Sequence, residues 1–245
     1  MRPSKAILSL IVIAMSLLVA CGGSSSSQSS LPRGGEPVSL DPAEFVARID
    51  HPYWPMAPGN TWVVMDKDLE GNAQRIEITV TNKKKRILGI DTTVIHDRVT
   101  ENGKLVEDTY DWYAQDKGGN LWYFGEDTTA FENGKPNKAG SWQAGVDGAQ
   151  AGVVIPAEPK VGQSYRQEYY AGKAEAAAKV VGLDKKVEVA AGKFDDVLMT
   201  EDTTRIHPDV LEHKFYARGV GPVLILGLSG GKAWEELVHF KNGSA

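Results

Sequence analysis

The sequence predicts a mainly β domain: an antiparallel, strongly curved sheet, open barrel or sandwich, with one short N-terminal helix. Three observations lead there. From Thr61 onward apolar and polar residues alternate, as in Ile76, Ile78 and Val80 against Glu77, Thr79 and Thr81. Turn residues interrupt that alternation roughly every 8–12 positions, giving around a dozen short strands. The 245 residues are 42% hydrophobic and 24% charged, an ordinary globular composition with enough chain for a sizeable core.

The chain starts with a targeting signal. Arg2 and Lys5 form a positive n-region, and Ala6 to Ala20 is apolar apart from Ser9 and Ser16. That run is too short for a comfortable membrane span and right for a signal-peptide h-region. It ends Leu18-Val19-Ala20-Cys21, which resembles the bacterial lipobox. The resemblance implies cleavage before Cys21, a thioether from its thiol to diacylglycerol, and an acylated (palmitate-bearing) N-terminus held by membrane lipid. Cys21 is the single cysteine, so neither an internal disulfide nor a multi-cysteine zinc site is available. Residues 1–20 are therefore assigned to the signal peptide. Their loss removes two of the 27 basic residues and none of the 32 acids, changing the net charge from -5 to about -7. An acidic chain lacks the footprint for nucleic acid. Gly22, where sorted lipoproteins kept at the inner membrane carry Asp, favours the outer membrane in a cell with two membranes, and otherwise the outer face of the plasma membrane.

Residues 21–37 comprise the lipidated Cys and a Gly/Ser-rich stretch that offers little to bury, and are read as a flexible tether. Residues 38–245 form a single β-rich domain. Asp41-Pro42-Ala43-Glu44 carries an N-cap, a Pro at N1 and an acid at N3, predicting a helix of about two turns with Phe45, Val46 and Ile49 on its apolar side. His51 to Asn60 has three prolines and reads as an extended aromatic segment packing on the domain edge. The strands then follow, with turns at Glu70-Gly71-Asn72, Leu88-Gly89, Asn102-Gly103, Asp116 to Asn120 and Asn133-Gly134. Val146 to Pro159 reads as a long loop, or a loop around one short strand, and as the first place to seek a binding site. Gly172 to Val181 is locally alanine-rich and predicts a short helix, although Val180-Val181 could extend a strand.

Each candidate for chemistry is incomplete. Gly227-Leu228-Ser229-Gly230-Gly231 spells a nucleophile elbow, but lacks the parallel α/β context and the downstream chain that motif requires. His207 and His213, extended, lie too far apart to share a metal. The Asp116 to Asn120 turn has too few oxygens for calcium, so neither a metal site nor a cofactor is expected. In the run Glu107 to Tyr113, a strand would put Asp108, Tyr110 and Trp112 on one face and Glu107, Thr109, Asp111 and Tyr113 on the other. No carboxylate pair forms within this strand alone, and a partner would come from a neighbouring strand, such as Glu126 or Asp127. Asp108, Asp111, Glu126 and Asp147 are the candidate catalytic acids, and Trp112, Trp122 and Trp142 the candidate ligand-binding aromatics.

The stretches DPAEF (41–45), YWPMAPGNTW (53–62), DTYDWYAQDKGGNLWYFGED (108–127), GSWQAGVDGAQAG (140–152), SYRQEYY (164–170), AGKFDDVL (191–198) and HKFYARGVGPV (213–223) resemble a group of exported bacterial proteins, many of them lipoproteins. The resemblance covers most of residues 41–240 and brings no functional residues with it. Two positions depart from the group's pattern: Gly118, where an acid is expected, and Arg218, where Pro is expected. The expectation is a membrane-anchored, non-catalytic binding or assembly module for an apolar ligand or an envelope protein. The alternative is an extracytoplasmic hydrolase acting on polysaccharide or ester through paired carboxylates.

Overall fold

The computed structural model describes residues 31–243 except 69–71, 133 and 231. Cys21, the signal peptide and most of the tether lie outside the described residues. The architecture is almost entirely antiparallel β-sheet, bent into a nearly closed barrel.

The expected N-terminal helix is a single 3-10 turn, Pro42–Glu44. Asp41 caps it through Oδ1, which accepts from the Ala43 N–H at 2.9 Å. The chain then leaves as β1 (Phe45–Val46), which pairs with residues 115–116. A two-turn helix is marginal by itself. Phe45 instead packs edge-on against Trp122 and Phe124, with centroids 6.3 and 5.8 Å away, and gains strand hydrogen bonds as well.

The barrel wall begins with β2 (Thr61–Asp68), β3 (Ala73–Ile87), β4 (Ile90–Glu101), β5 (Lys104–Asp116) and β6 (Leu121–Glu132). Short pieces follow as β7 (Lys135–Asn137), β8 (Trp142–Gln143), β9 (Gln150–Ile155), β10 (Ser164–Arg166) and β11 (Glu168–Tyr169). The C-terminal half supplies β12 (Ala176–Val189), β13 (Gly192–Thr204), β14 (Leu211–Ala217), β15 (Gly221–Ser229) and β16 (Lys232–Lys241). Their order is β10-β12-β13-β14-β15-β16-β2-β3-β4-β5-β6-β9-β11. The two ends of that path belong to one chain segment. β10 pairs with β12, and β11, one residue further on, pairs with β9. Sharing the segment in this way brings the sheet nearly to closure and leaves few unpaired edges.

The turn chemistry matches the sequence where it is described. Asn102 and Gly103 both have positive φ, 49° and 77°, as a tight two-residue hairpin requires. Asp116 organises its turn with its own carboxylate, which accepts from Asn120 N, Asn120 Nδ2 and Trp122 Nε1, each at 2.8 Å.

The alanine-rich run differs from expectation, while 146–159 is the loop around one short strand that its sequence allowed. The alanine-rich run expected as a short helix is the first part of β12, entered after a turn at Gly172 (φ 71°). Its ladder runs from Ala176↔Thr204 to Val180↔Thr200, with β10 on the other side. Alanine's helix preference is worth only tenths of a kcal/mol per residue over its polar neighbours, so pairing on both edges outweighs it. The stretch 146–159 contains β9, buried along nearly its whole length between β6 and β11.

Residues 31–37, expected within the tether, lie along the wall. Arg166 N donates to Pro32 O at 2.6 Å. The Arg166 guanidinium donates to the carbonyls of Gly34, Glu36 and Ala151. A buried guanidinium with free donors is costly, and these backbone acceptors relieve it.

The proline-rich segment after Ile49 crosses one end of the barrel. Asp50 and Gln115 exchange two hydrogen bonds of 3.0 and 2.8 Å. His51, fully buried, meets Pro156 O through Nε2 at 3.1 Å and accepts from Tyr53 N at Nδ1. Gly219 N donates to Pro52 O at 2.8 Å. These ties hold the segment as a plug, with Tyr53 and Met56 buried and Trp54 directed against Tyr113 and Tyr216.

Candidate functional site: an acidic and aromatic barrel interior

Strand alternation sorts the side chains of β4 and β5 onto two faces. His96, Arg98, Asp108, Tyr110 and Trp112 face outward, while Asp97, Thr109, Asp111 and Tyr113 face inward. This is the division of the Glu107–Tyr113 run that its sequence predicts. Beneath the Trp54 plug the inward side chains leave a cavity of about 300 Å³. Its apolar lining comes from Val64, Ile76, Ile78, Val154, Val223 and Leu237. Polar and aromatic side chains are interleaved with these, Asp97 standing opposite Ile78 on paired strands. Asp97, Glu168, Glu235 and Lys214 line the cavity together with Trp54, Tyr113, Tyr123 and Tyr216. The rings are close neighbours: Tyr113 lies 4.9 Å from Tyr123 and 5.5 Å from Trp54 between centroids.

Asp111 and Glu126 sit directly opposite each other on β5 and β6, beside the cavity. Asp111 Oδ1 accepts from the Tyr123 hydroxyl at 2.7 Å. Its carboxyl is pushed up to about 7, chiefly by burial, while the Tyr123 bond pulls it back and Glu107 and Glu168 raise it further. Burial likewise pushes Glu126 up to about 8, helped by Asp111, Glu168 and Glu107. The nearby Trp142 indole, whose N–H makes no well-formed hydrogen bond, opposes that rise only in part. Asp97 is also pushed up to about 8, first by burial and then by the charges of Asp111, Glu107 and Glu235. Glu168 is raised by burial, with Lys214 and the Ala176 backbone N–H opposing.

Lys214 is the one base lining the cavity among the described residues. Burial pulls its ammonium down, but Asp202, Tyr216 and Glu212 outweigh that effect and hold it above the ordinary lysine range. Its Nζ lies 3.2 Å from Asp202 and 3.8 Å from Glu212. Two lining atoms are buried without a hydrogen-bond partner: Asp97 Oδ1, an acceptor, and Trp54 Nε1, a donor. Buried polar atoms are nearly always satisfied, so such a pair facing a cavity marks where an occupant's polar atoms would go.

The structure brings together two of the four sequence-derived acids, Asp111 and Glu126. Asp108 lies on the outer face, 2.7 Å from His96 Nε2 and 3.8 Å from Arg98. Asp147 is exposed in the β8–β9 turn at φ 50°. The three tryptophans do not line the cavity. Trp112 packs on the outer face under Lys85 Nζ, 3.3 Å from its ring centroid. Trp122 is held by Asp116, and Trp142 stands edge-on to Tyr123 at 5.4 Å. Ser229 Oγ donates to Asp209 O at 2.5 Å in a β-hairpin, away from any nucleophile elbow. No group of three or more His, Cys, Asp or Glu side chains among the described residues is arranged to hold a metal ion.

Sequence reasoning missed Asp97, Glu168, Lys214 and Tyr216, and read Trp54 as packing on the domain edge. A signal for Asp97 existed, because it is the lone acid at an inward position between Ile95 and Val99. Glu168 and Lys214 carry no such mark, since their neighbours across the barrel come from remote strands.

The fold and its interior thus define a β-barrel with a small, acid-rich, aromatic-lined cavity. No protein-family model matches the sequence. None of the curated proteins matches it. Among solved structures, the chain is similar to a protein of Parabacteroides distasonis ATCC 8503 provisionally described as a lipoprotein. The TM-score is 0.46 at 13% identity, over 77% of this chain and 98% of that one. It is also similar to a provisionally described exported protein with a YmcC-like fold from Bacteroides fragilis NCTC 9343. There the TM-score is 0.45 at 12% identity, over 78% of this chain and 99% of that one. Likenesses of this strength transfer no residue role and no activity.

Proposed function

We propose that this chain is a lipid-anchored protein of the cell envelope whose barrel binds a small amphiphilic molecule without transforming it. The anchor reading rests on the lipobox-like Leu18-Val19-Ala20-Cys21 after an h-region. The binding reading rests on one observation: a cavity of about 300 Å³ whose apolar lining is interleaved with polar groups that include two unpartnered buried atoms. A purely apolar guest would leave Asp97 Oδ1 and Trp54 Nε1 unsatisfied, so an amphiphile fits better than the apolar ligand expected from sequence.

The test is native mass spectrometry of the chain purified from membranes, with extraction and identification of any co-purifying small molecule. Consistently empty protein, which also fails to bind any of a panel of short amphiphiles, would remove the binding reading. For the anchor, Cys21→Ser should abolish incorporation of labelled palmitate and shift the chain out of the membrane fraction. Unchanged labelling would refute acylation at that residue.

The opposed carboxyls of Asp111 and Glu126 favour a second reading, hydrolysis of a glycoside or ester. That chemistry needs one acid protonated and its partner ionised. Both carboxyls are raised here, to about 7 and about 8, so below neutral pH neither supplies the ionised partner. Turnover of chromogenic glycosides or esters by the native chain, lost in Glu126→Gln, would establish this reading over the first.

A further inference from the structure

Resting on the binding reading, we propose that the polar end of the bound molecule is an ammonium group, seated against Asp97 and Glu168 with its apolar part along Val64, Ile76 and Leu237. The charge inventory argues for a cation. Three acids line this space, Asp97 from β4, Glu168 from β11 and Glu235 from β16, and Glu107 and Asp111 on β5 and Glu126 on β6 add their charges from beside it. Against them stands Lys214 on β14, whose ammonium is already engaged by Asp202 and Glu212. The remaining ionisable groups lining the cavity among the described residues are the phenols of Tyr113, Tyr123 and Tyr216, which burial keeps neutral.

The second observation is specific to one atom. Asp97 Oδ1 is buried, makes no hydrogen bond and lines the cavity, so it lacks a donor. A hydroxyl could supply one hydrogen bond, but only a cation also offsets the surrounding carboxylates. The rings of Trp54, Tyr113 and Tyr123, which line the same cavity, offer the negative π-faces that cations favour. Where those carboxyls ionise, above about pH 8, an anionic headgroup would meet repulsion from the same groups. Because the raised carboxyls retain protons near neutral pH, seating an ammonium releases protons, and its affinity should rise with pH.

The experiment uses the acylated full chain in nanodiscs of neutral lipid, with empty discs as the blank. Hexylamine, hexan-1-ol and hexanoate share one apolar body and differ only in headgroup. Calorimetry should show the ammonium binding about ten- to a hundredfold more tightly than the alcohol, the range of a charge-assisted over a neutral hydrogen bond, with hexanoate weakest. The ammonium affinity should increase between about pH 6 and about pH 8.5, with release of up to about one proton. Asp97→Asn should bring the ammonium affinity close to that of the alcohol, removing most of the difference between the two. If that variant does not fold, Glu168→Gln tests the same selectivity. Alcohol or hexanoate binding as well as the ammonium would overturn the ammonium assignment and leave the binding reading standing. No binding by any of the three would overturn both.

Discussion

The strongest stability prediction concerns Asp97→Asn. Folding moves the Asp97 carboxyl from its ordinary value of 3.8 up to about 8, mainly through burial. Between those two values the folded chain holds a proton that the unfolded chain has released. Stability from this group is therefore full below about pH 4 and falls as pH rises towards about 8. A shift of roughly four units corresponds to at most about 6 kcal/mol, at about 1.4 kcal/mol per unit. Part of that total is repulsion shared with Asp111, Glu107 and Glu235, which relax when one charge is deleted, and cavity water screens more of it. About 2–3 kcal/mol is the expected gain for Asp97→Asn at pH near 9. At pH near 5 the amide replaces a neutral carboxyl of the same shape, and the change should stay within about 1 kcal/mol. Urea unfolding followed by tryptophan fluorescence at the two pH values measures both numbers. The reasoning fails if the wild-type chain is as stable at the higher pH as at the lower. It also fails if the variant shifts both curves equally.

The acid side should bend the other way. Burial lowers the pKa of His51, so its neutral form contributes stability above pH 6.5 that is lost as pH falls below it, and His51→Gln should flatten that limb of the profile. Trp54→Ala removes the plug's contact with Tyr113 and Tyr216 and should cost about 2–4 kcal/mol, read as a lower urea midpoint; an unchanged midpoint would mean that Trp54 does not seal the barrel. Gly125 has φ 115°, and a Cβ there would lie 2.3 Å from Trp142 O, so Gly125→Ala should cost about 2–4 kcal/mol by thermal unfolding, and a neutral result would refute the close approach of β8 to β6. Arg166→Ala removes the donors that hold Gly34 and Glu36, and limited proteolysis should then cut at 31–37 faster while far-UV circular dichroism is unchanged.

Local physics was legible where one strand or one turn decides the outcome. The alternation in Glu107–Tyr113 correctly separates Asp111 and Tyr113 from Asp108 and Trp112, because the strand period is fixed by the backbone alone. The Asn102-Gly103 turn was legible for the same reason. Reading failed where a partner remote in sequence supplied the decisive energy. Phe45 and Val46 fit a helix stripe or a strand equally well, and Asp116 and Gln115 decided between them by pairing. Ala176–Val180 prefers helix in isolation, yet β10 and β13 offer it two ladders. Trp112, Trp122 and Trp142 pack elsewhere, because a large aromatic is buried as well under Lys85, beside Asp116 or against Tyr123 as in a cavity wall.

Residue order alone shows that most of this chain is antiparallel β-structure, with an acid-rich strand divided correctly between two faces. Those conclusions need only neighbours within a few residues. Only the tertiary structure decided that the strands wrap into a nearly closed barrel, because the wrap depends on β10 and β11 splitting one segment between β12 and β9. It alone brought Asp97, Glu168 and Lys214 to one cavity and raised the carboxyls. Desolvation and charge repulsion act through space, on groups whose separation the chain order does not encode.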